Sequence, residues 1–358
     1  MTAVSEVDAE TERAARRLVA MGARVHLLST VTPVGLAAEV GRLVDAWAHG
    51  RHEAARLAYA EAPDLSDVRA GIDRLRGSFR GPVGGLYEGR AEELAIEAAA
   101  CEAVGTPAFH AAARARFPRR DAFDDEADAV AEAWGAIEVA DSGPPLIATD
   151  DERDPRSLLS MMRRAAGEHR LPFRVLVSRS LSPLAATGDR VLFVSAGRRV
   201  TAEVAARTVL HEILGHALPS ARSAGAALEV FRTGTRFGSD DQEGRAVLVE
   251  ERAALFGMAR RRELGLRHSA ARSVERGADF VETGRLLLDL GARPEEAVRI
   301  AVRVHRGGGL AREIAYVPAF LRARAAFAEA PRLEDFVASG RVAIDAARTL
   351  LAAGHRPS

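Results

Sequence analysis

Between Thr208 and His216 the chain reads Thr-Val-Leu-His-Glu-Ile-Leu-Gly-His, two histidines and a glutamate in an otherwise apolar run of helical character. An α-helix turns by about 100° per residue, so a residue four on returns to within about 40° of the first, whereas a residue five on lies about 140° away. His211 and His216 are five apart. A regular helix sends them to different sides, and they meet only if the helix widens or ends between them. Single-turn π-bulges do this at functional sites, and glycine eases the backbone through such a turn. Gly215 stands directly before His216, and Pro219 follows. The spacing therefore predicts an irregular helix through His216. Histidine is the commonest transition-metal ligand, and a glutamate beside a metal-held water is the usual base of zinc hydrolases. The stretch reads as the zinc-binding helix of a metallohydrolase, against the plainer reading of two unrelated histidines on a buried helix.

Composition removes several alternatives. The 358 residues suffice for one large or two ordinary domains. The formal net charge is +0, so no nucleic-acid or anionic-membrane partner is expected. All 50 basic residues are arginine, which excludes a lysine nucleophile or Schiff base. Cys101 is the only cysteine, so intramolecular disulfides and cysteine-based zinc sites are excluded, and its Ala-rich surroundings predict a buried structural thiol. Met1 to Arg17 is charged and has no apolar leader core, and no run approaches a membrane span. A cytoplasmic protein is expected.

Apolar spacing predicts helices through the first 140 residues, on Leu18, Met21, Val25 and Leu28, then Leu36, Val40, Leu43 and Trp47, then Val68–Leu75 and Tyr87–Val104. Gly105-Thr106-Pro107 ends the last of these. The acidic run Asp121–Asp128 lacks the glycine and terminal glutamate of a calcium loop and reads as a solvated helix start. Asp141–Asp154, with Gly143-Pro144-Pro145, is the best linker. Beyond it, Phe173–Ser178 and Val191–Ser195 read as strands, with Ala186-Thr-Gly-Asp as a turn between them. Thr201 can N-cap the helix that carries His211. Ser239 and Gln242 match a capping box, so a second helix starts there and places Glu243 and Glu250 on one face. Helices return from about residue 270, broken at Gly291–Pro294, Arg306–Gly309 and Pro331. The expected fold is α+β and predominantly helical, a zincin-like core with a small sheet or hairpin packed on the metal-binding helix. Residues 1–140 are expected to form an N-terminal helical region and 141–358 the core with C-terminal helices, unless one continuous domain runs from about 20 to 345.

A catalytic zinc takes three protein ligands and keeps one position open. Two histidines leave one to find, and Asp240, Asp241, Glu243, Glu250 and Glu251 are the candidates on a downstream helix. Residue spacing favours Glu243 or Glu250 only weakly.

His-Glu-Ile-Leu-Gly-His followed by Gln242-Glu243-Gly244-Arg245-Ala246 resembles the QEGLA-motif metallopeptidases, the tyrosine/phenylalanine carboxypeptidase-domain family. Its eukaryotic members remove the C-terminal tyrosine of α-tubulin, and bacterial members have been described as flavohaemoglobin expression modulators. The likeness runs from about residue 20 to 345 and takes in the late segment Arg312-Glu313-Ile-Ala-Tyr316, which looks like the family's Lys-Asp-x-x-Tyr. It implies His211, His216 and Glu243 as ligands of Zn2+, Glu212 as the catalytic base, and Glu250 as an acid behind a histidine. Three positions depart from the pattern. Arg245 replaces leucine, Gly215 stands where threonine is frequent, and Arg312-Glu313 replaces Lys-Asp.

The reaction implied is metal-assisted hydrolysis at a peptide or protein C-terminus, with an aromatic residue released. Tyr316 is a candidate for stabilising the oxyanion, on resemblance and because a phenol can donate there. A free carboxylate calls for a bidentate arginine, and Arg303, Arg306 and Arg312 are the candidates. Another zinc amidase or endopeptidase on the same site is the alternative, as is a regulatory protein that retains the metal motif. Glu212 argues against the last, because a structural site has no use for a base.

Overall fold

A computed structural model describes residues 7–139, 144–179, 181 and 183–357. Helices dominate, with five short strands among the described residues. The chain forms two compact units, each assembled from separated segments. One takes in Glu138–Gly257 and Arg322–Ser358, the other Glu6–Ile137 and Met258–Leu321. No helix among the described residues is long and apolar enough to cross a membrane.

The unit with Glu6–Ile137 is helical, around a core that includes Leu43, Trp47, Phe109, Leu266 and Val304. Small residues set its closest packing. A Cβ on Gly265 would stand 2.6 Å from the Ala131 carbonyl oxygen, so only glycine lets helix Met258–Glu275 lie this close to helix Ala122–Gly135. Asp121 caps the latter helix reciprocally with Asp124, so the acidic run is a helix start, as its composition predicts. Helix Gly81–Glu102 gives way to Gly105 at φ 72°, a left-handed terminator. Helix Pro294–Gly309 is kinked at Arg306, Gly307 and Gly308, where the sequence breaks. Cys101 is fully buried, and burial pushes its thiol up, which suits a structural role.

The unit with Glu138–Gly257 holds the strands β1 (Ile147–Ala148), β2 (Arg174–Ser178), β3 (Ala185–Gly188), β4 (Val191–Ser195) and β5 (Arg199–Val200). β1 and β5 pair antiparallel, and the larger sheet runs β2-β4-β3. This corrects the expected hairpin. Ala186–Gly188 is not a turn but part of β3, which pairs antiparallel with β4, while β2 lies parallel to β4 on its other side. The reversal falls at Asp189-Arg190, with Arg190 at φ 52°. Two residues suffice for a hairpin turn, which leaves the preceding four to pair.

Of the expected linker Asp141–Asp154, residues 141–143 lie outside the described residues. The later part is tied down: Ile147 pairs with Val200, and the buried Thr149 hydroxyl donates to the Ser195 carbonyl at 2.5 Å. Helix Leu158–Glu168 and the sheet share a core with the motif helix, through Leu159, Met162, Leu192, Val194, Val209 and Ile213. Packed from that side, the motif helix turns its histidines toward helix Gly238–Arg252.

Candidate metal centre

Thr201 accepts the Val204 N–H at 3.2 Å and starts helix Ala202–Leu210 as expected. The helix then widens into a π-helical turn, His211–Ala217, and resumes as Leu218–Ala224. Leu218 N–H donates to the Ile213 carbonyl, five residues back. A five-residue step is what brings His216 over His211. The two Nε2 atoms lie 3.3 Å apart, with ring planes at 63°. The irregular helix predicted from the spacing is therefore present.

Gly215 has a second role that the sequence did not reveal. A Cβ there would meet the Ala246 Cβ at 2.6 Å. Its absence lets the π-turn settle onto helix Gly238–Arg252, which carries Glu243 and Glu250. The Glu243 carboxylate lies 3.2 Å from His211 Nε2 and 3.6 Å from His216 Nε2. An ion with tetrahedral bonds of about 2.0–2.2 Å sets its ligand atoms about 3.3–3.6 Å apart. The three donors fit that spacing.

The outer nitrogens are also accounted for. His211 Nδ1 meets a Glu250 oxygen at 2.7 Å, and His216 Nδ1 meets Gln242 Oε1 at 3.0 Å. Gln242 Nε2 donates to the Gly340 carbonyl at 3.1 Å, which turns its oxygen toward the histidine. Both Nδ1 atoms thus face acceptors and carry the proton. Both Nε2 lone pairs then face each other and Glu243, an arrangement that a cation between them would satisfy. Without a metal a proton takes that place: burial opposes it, but Glu243 and Glu250 raise His211 to about 10. The expected capping box is absent. The helix starts from Phe237, in a left-handed conformation with no side-chain cap, so Ser239 lies within the first turn, and Gln242 is engaged with His216 instead.

Glu212, the residue after the first histidine, is 9% exposed. The Thr187 hydroxyl of β3 donates to its carboxylate at 2.7 Å. Sequence reasoning missed Thr187, because it fell in the segment read as a turn. It also took Gln242 for a cap, although Gln242 directly precedes a candidate ligand.

Tyr316, Arg303, Arg306 and Arg312 belong to the other unit, where the three arginines interact with Glu313. Burial would raise the Glu313 carboxyl, but Arg267, Arg303 and Arg312 hold it down at about 2. Arg267 Nε donates to it at 2.6 Å, and Arg303 donates from the other side. Tyr316 is buried, with the Arg267 guanidinium 4.8 Å and that of Arg312 5.8 Å from its ring centre. Arg306 is buried too, and its Nε donates to the Arg303 carbonyl at 3.2 Å. Burial, with Arg303 next, lowers it to about 10. Sequence reasoning passed over Glu313 as a replacement for aspartate and missed it as the hub of this cluster.

Two histidines and the Glu243 carboxylate thus converge between paired helices, with the Glu212 carboxylate next in the chain. The chain belongs to the microtubule-associated tyrosine carboxypeptidase family, whose profile matches residues 58–355. No curated protein matches the chain significantly. Among solved structures, a Colwellia psychrerythraea protein labelled a lipoprotein is similar at 12% identity, with a TM-score of 0.50. The match covers 86% of this chain and 66% of that one, and shows a shared fold.

Proposed function

We propose that this chain is a zinc-dependent carboxypeptidase that releases a C-terminal aromatic residue, with the small sheet and the motif helix as a zincin-like core. His211, His216 and Glu243 hold the ion, and Glu250 and Gln242 orient the two histidines. The observation that carries the reading is the convergence of both Nε2 atoms and the Glu243 carboxylate, 3.2 to 3.6 Å apart, with both outer nitrogens held by acceptors. When bound, zinc supplies Lewis acidity toward the scissile carbonyl and the attacking water. Glu212 accepts the water's proton and returns it to the leaving amine nitrogen. The Thr187 hydroxyl fixes the carboxylate for both transfers. Free-carboxylate recognition and oxyanion stabilisation are also needed, and Arg303, Arg306, Arg312 and Tyr316 are the candidates by residue chemistry. Aromatic preference follows the tyrosine in the family's description.

The test pairs a variant with a substrate series. Glu212→Gln should retain zinc and lose about 10²–10⁴-fold in rate. Wild type should cleave peptides ending in free tyrosine or phenylalanine and spare the same peptides amidated. Equal cleavage of both would leave a zinc amidase or endopeptidase and remove the carboxypeptidase. Full activity in Glu212→Gln would remove the mechanism.

A further inference from the structure

The π-turn leaves one carbonyl without its helical donor. Leu218 N–H serves Ile213. The next bond at that step would run from residue 219 to the Leu214 carbonyl, but Pro219 has no N–H. Arg245 Nη1 donates to the Leu214 carbonyl instead, at 2.8 Å. Arg245 comes from helix Gly238–Arg252 and is 8% exposed. Its Nε lies 3.5 Å from Glu334, which Arg252 holds through both carboxylate oxygens at 2.8 and 2.7 Å. The Glu334 carboxylate is thus an ion-pair partner behind the guanidinium, while Nη1 points into the π-turn. Beside it, Ala246 packs on Gly215. Two successive residues of one helix therefore grip two successive residues of the other, one turn from the contacts of Gln242 and Glu243 with the histidines.

We propose that Arg245 is a positioning residue for the metal centre: it supplies the hydrogen bond that Pro219 removes, and so holds the π-turn in the register that brings His216 over His211. A burial this deep is costly for a guanidinium, and a buried carbonyl without a donor is costly as well. Each offsets the other here. Leucine at this position, as the QEGLA pattern has it, would leave the carbonyl unbonded. The effect on the metal rests on the zinc reading above; the effect on the π-turn does not.

Three variants test it: Arg245→Leu, Pro219→Ala, and the two together. Pro219→Ala returns an N–H at the position that faces the Leu214 carbonyl. Zinc affinity is read by competition with a chromophoric chelator, and hydrogen exchange of amides 213–220 is read in zinc-free protein. Arg245→Leu should lose about 10–100-fold in zinc affinity, as loss of an outer-shell support does, and should exchange faster across the turn. The double variant should recover most of both. A variant Arg245→Leu that equals wild type in affinity and exchange overturns the proposal, and so does a double variant no better than Arg245→Leu. Should Arg245→Leu not fold, the double variant decides: recovery of fold and zinc supports the proposal, and failure overturns it. If wild type binds no zinc, the metal reading falls, and the exchange data alone judge Arg245.

Discussion

Gly215→Ala should damage stability and metal binding together. The added methyl would sit 2.6 Å from the Ala246 Cβ and 3.4 Å from its Cα. Carbon atoms in contact prefer about 3.5–4.0 Å, so the two helices must part by about 1 Å. Overpacking of this kind costs about 1–3 kcal/mol. Alanine returns about 1 kcal/mol through its better helix propensity, which leaves a net loss of up to about 2 kcal/mol. For a unit of this size the melting temperature should fall by up to roughly 8 °C. The separation also carries His211 and His216 away from Glu243, well beyond the roughly 0.2 Å that a ligand set tolerates, so zinc affinity should fall too. Thermal melts and chelator competition measure the two effects. Ala246→Gly removes the opposing methyl, and a double-mutant cycle should show a favourable coupling of about 0.5–3 kcal/mol. Additive single effects, or a Gly215→Ala protein with wild-type stability and affinity, would refute the packing argument.

Glu250→Gln should weaken zinc binding by about 10–100-fold without abolishing it, since it takes charge from the partner of His211 rather than a ligand from the metal; chelator competition reads this, and loss as complete as that of Glu243→Ala would make Glu250 the ligand. In the other unit, the Glu313 carboxyl titrates at about 2 in the folded protein against an ordinary 4.5. A depressed carboxyl stabilises the fold fully above pH 4.5 and loses that contribution as pH falls toward 2. Glu313→Gln should therefore flatten the acid limb of a stability-against-pH curve. It should also cost about 3–5 kcal/mol at neutral pH, because Arg267 and Arg303 lose their buried partner. An unchanged acid limb would show that this cluster contributes nothing to folding.

Local physics made some of this legible in the sequence. The i, i+5 histidines could share a metal only on a widened helix, and the turn at His211–Ala217 is π-helical. Glu243 and Glu250 fell on one helical face, and both reach His211. Spacing could not choose between them, since the choice depends on which ring nitrogen each meets. Gln242 and Thr187 were misread because a cap signal and a turn signal are local, whereas their partners His216 and Glu212 are distant in sequence. The interleaved units were not legible either. Nothing in the helical periodicity of Met258–Glu275 indicates that Gly265 meets Ala131, more than a hundred residues earlier.

The most direct test of the account is a zinc-edge anomalous difference map from crystals of the protein grown with zinc. The account predicts one strong peak in the helical pair, about 2.0–2.2 Å from His211 Nε2, His216 Nε2 and a Glu243 carboxylate oxygen. A peak bound by Glu250 in place of Glu243, or no peak at these residues, would contradict it.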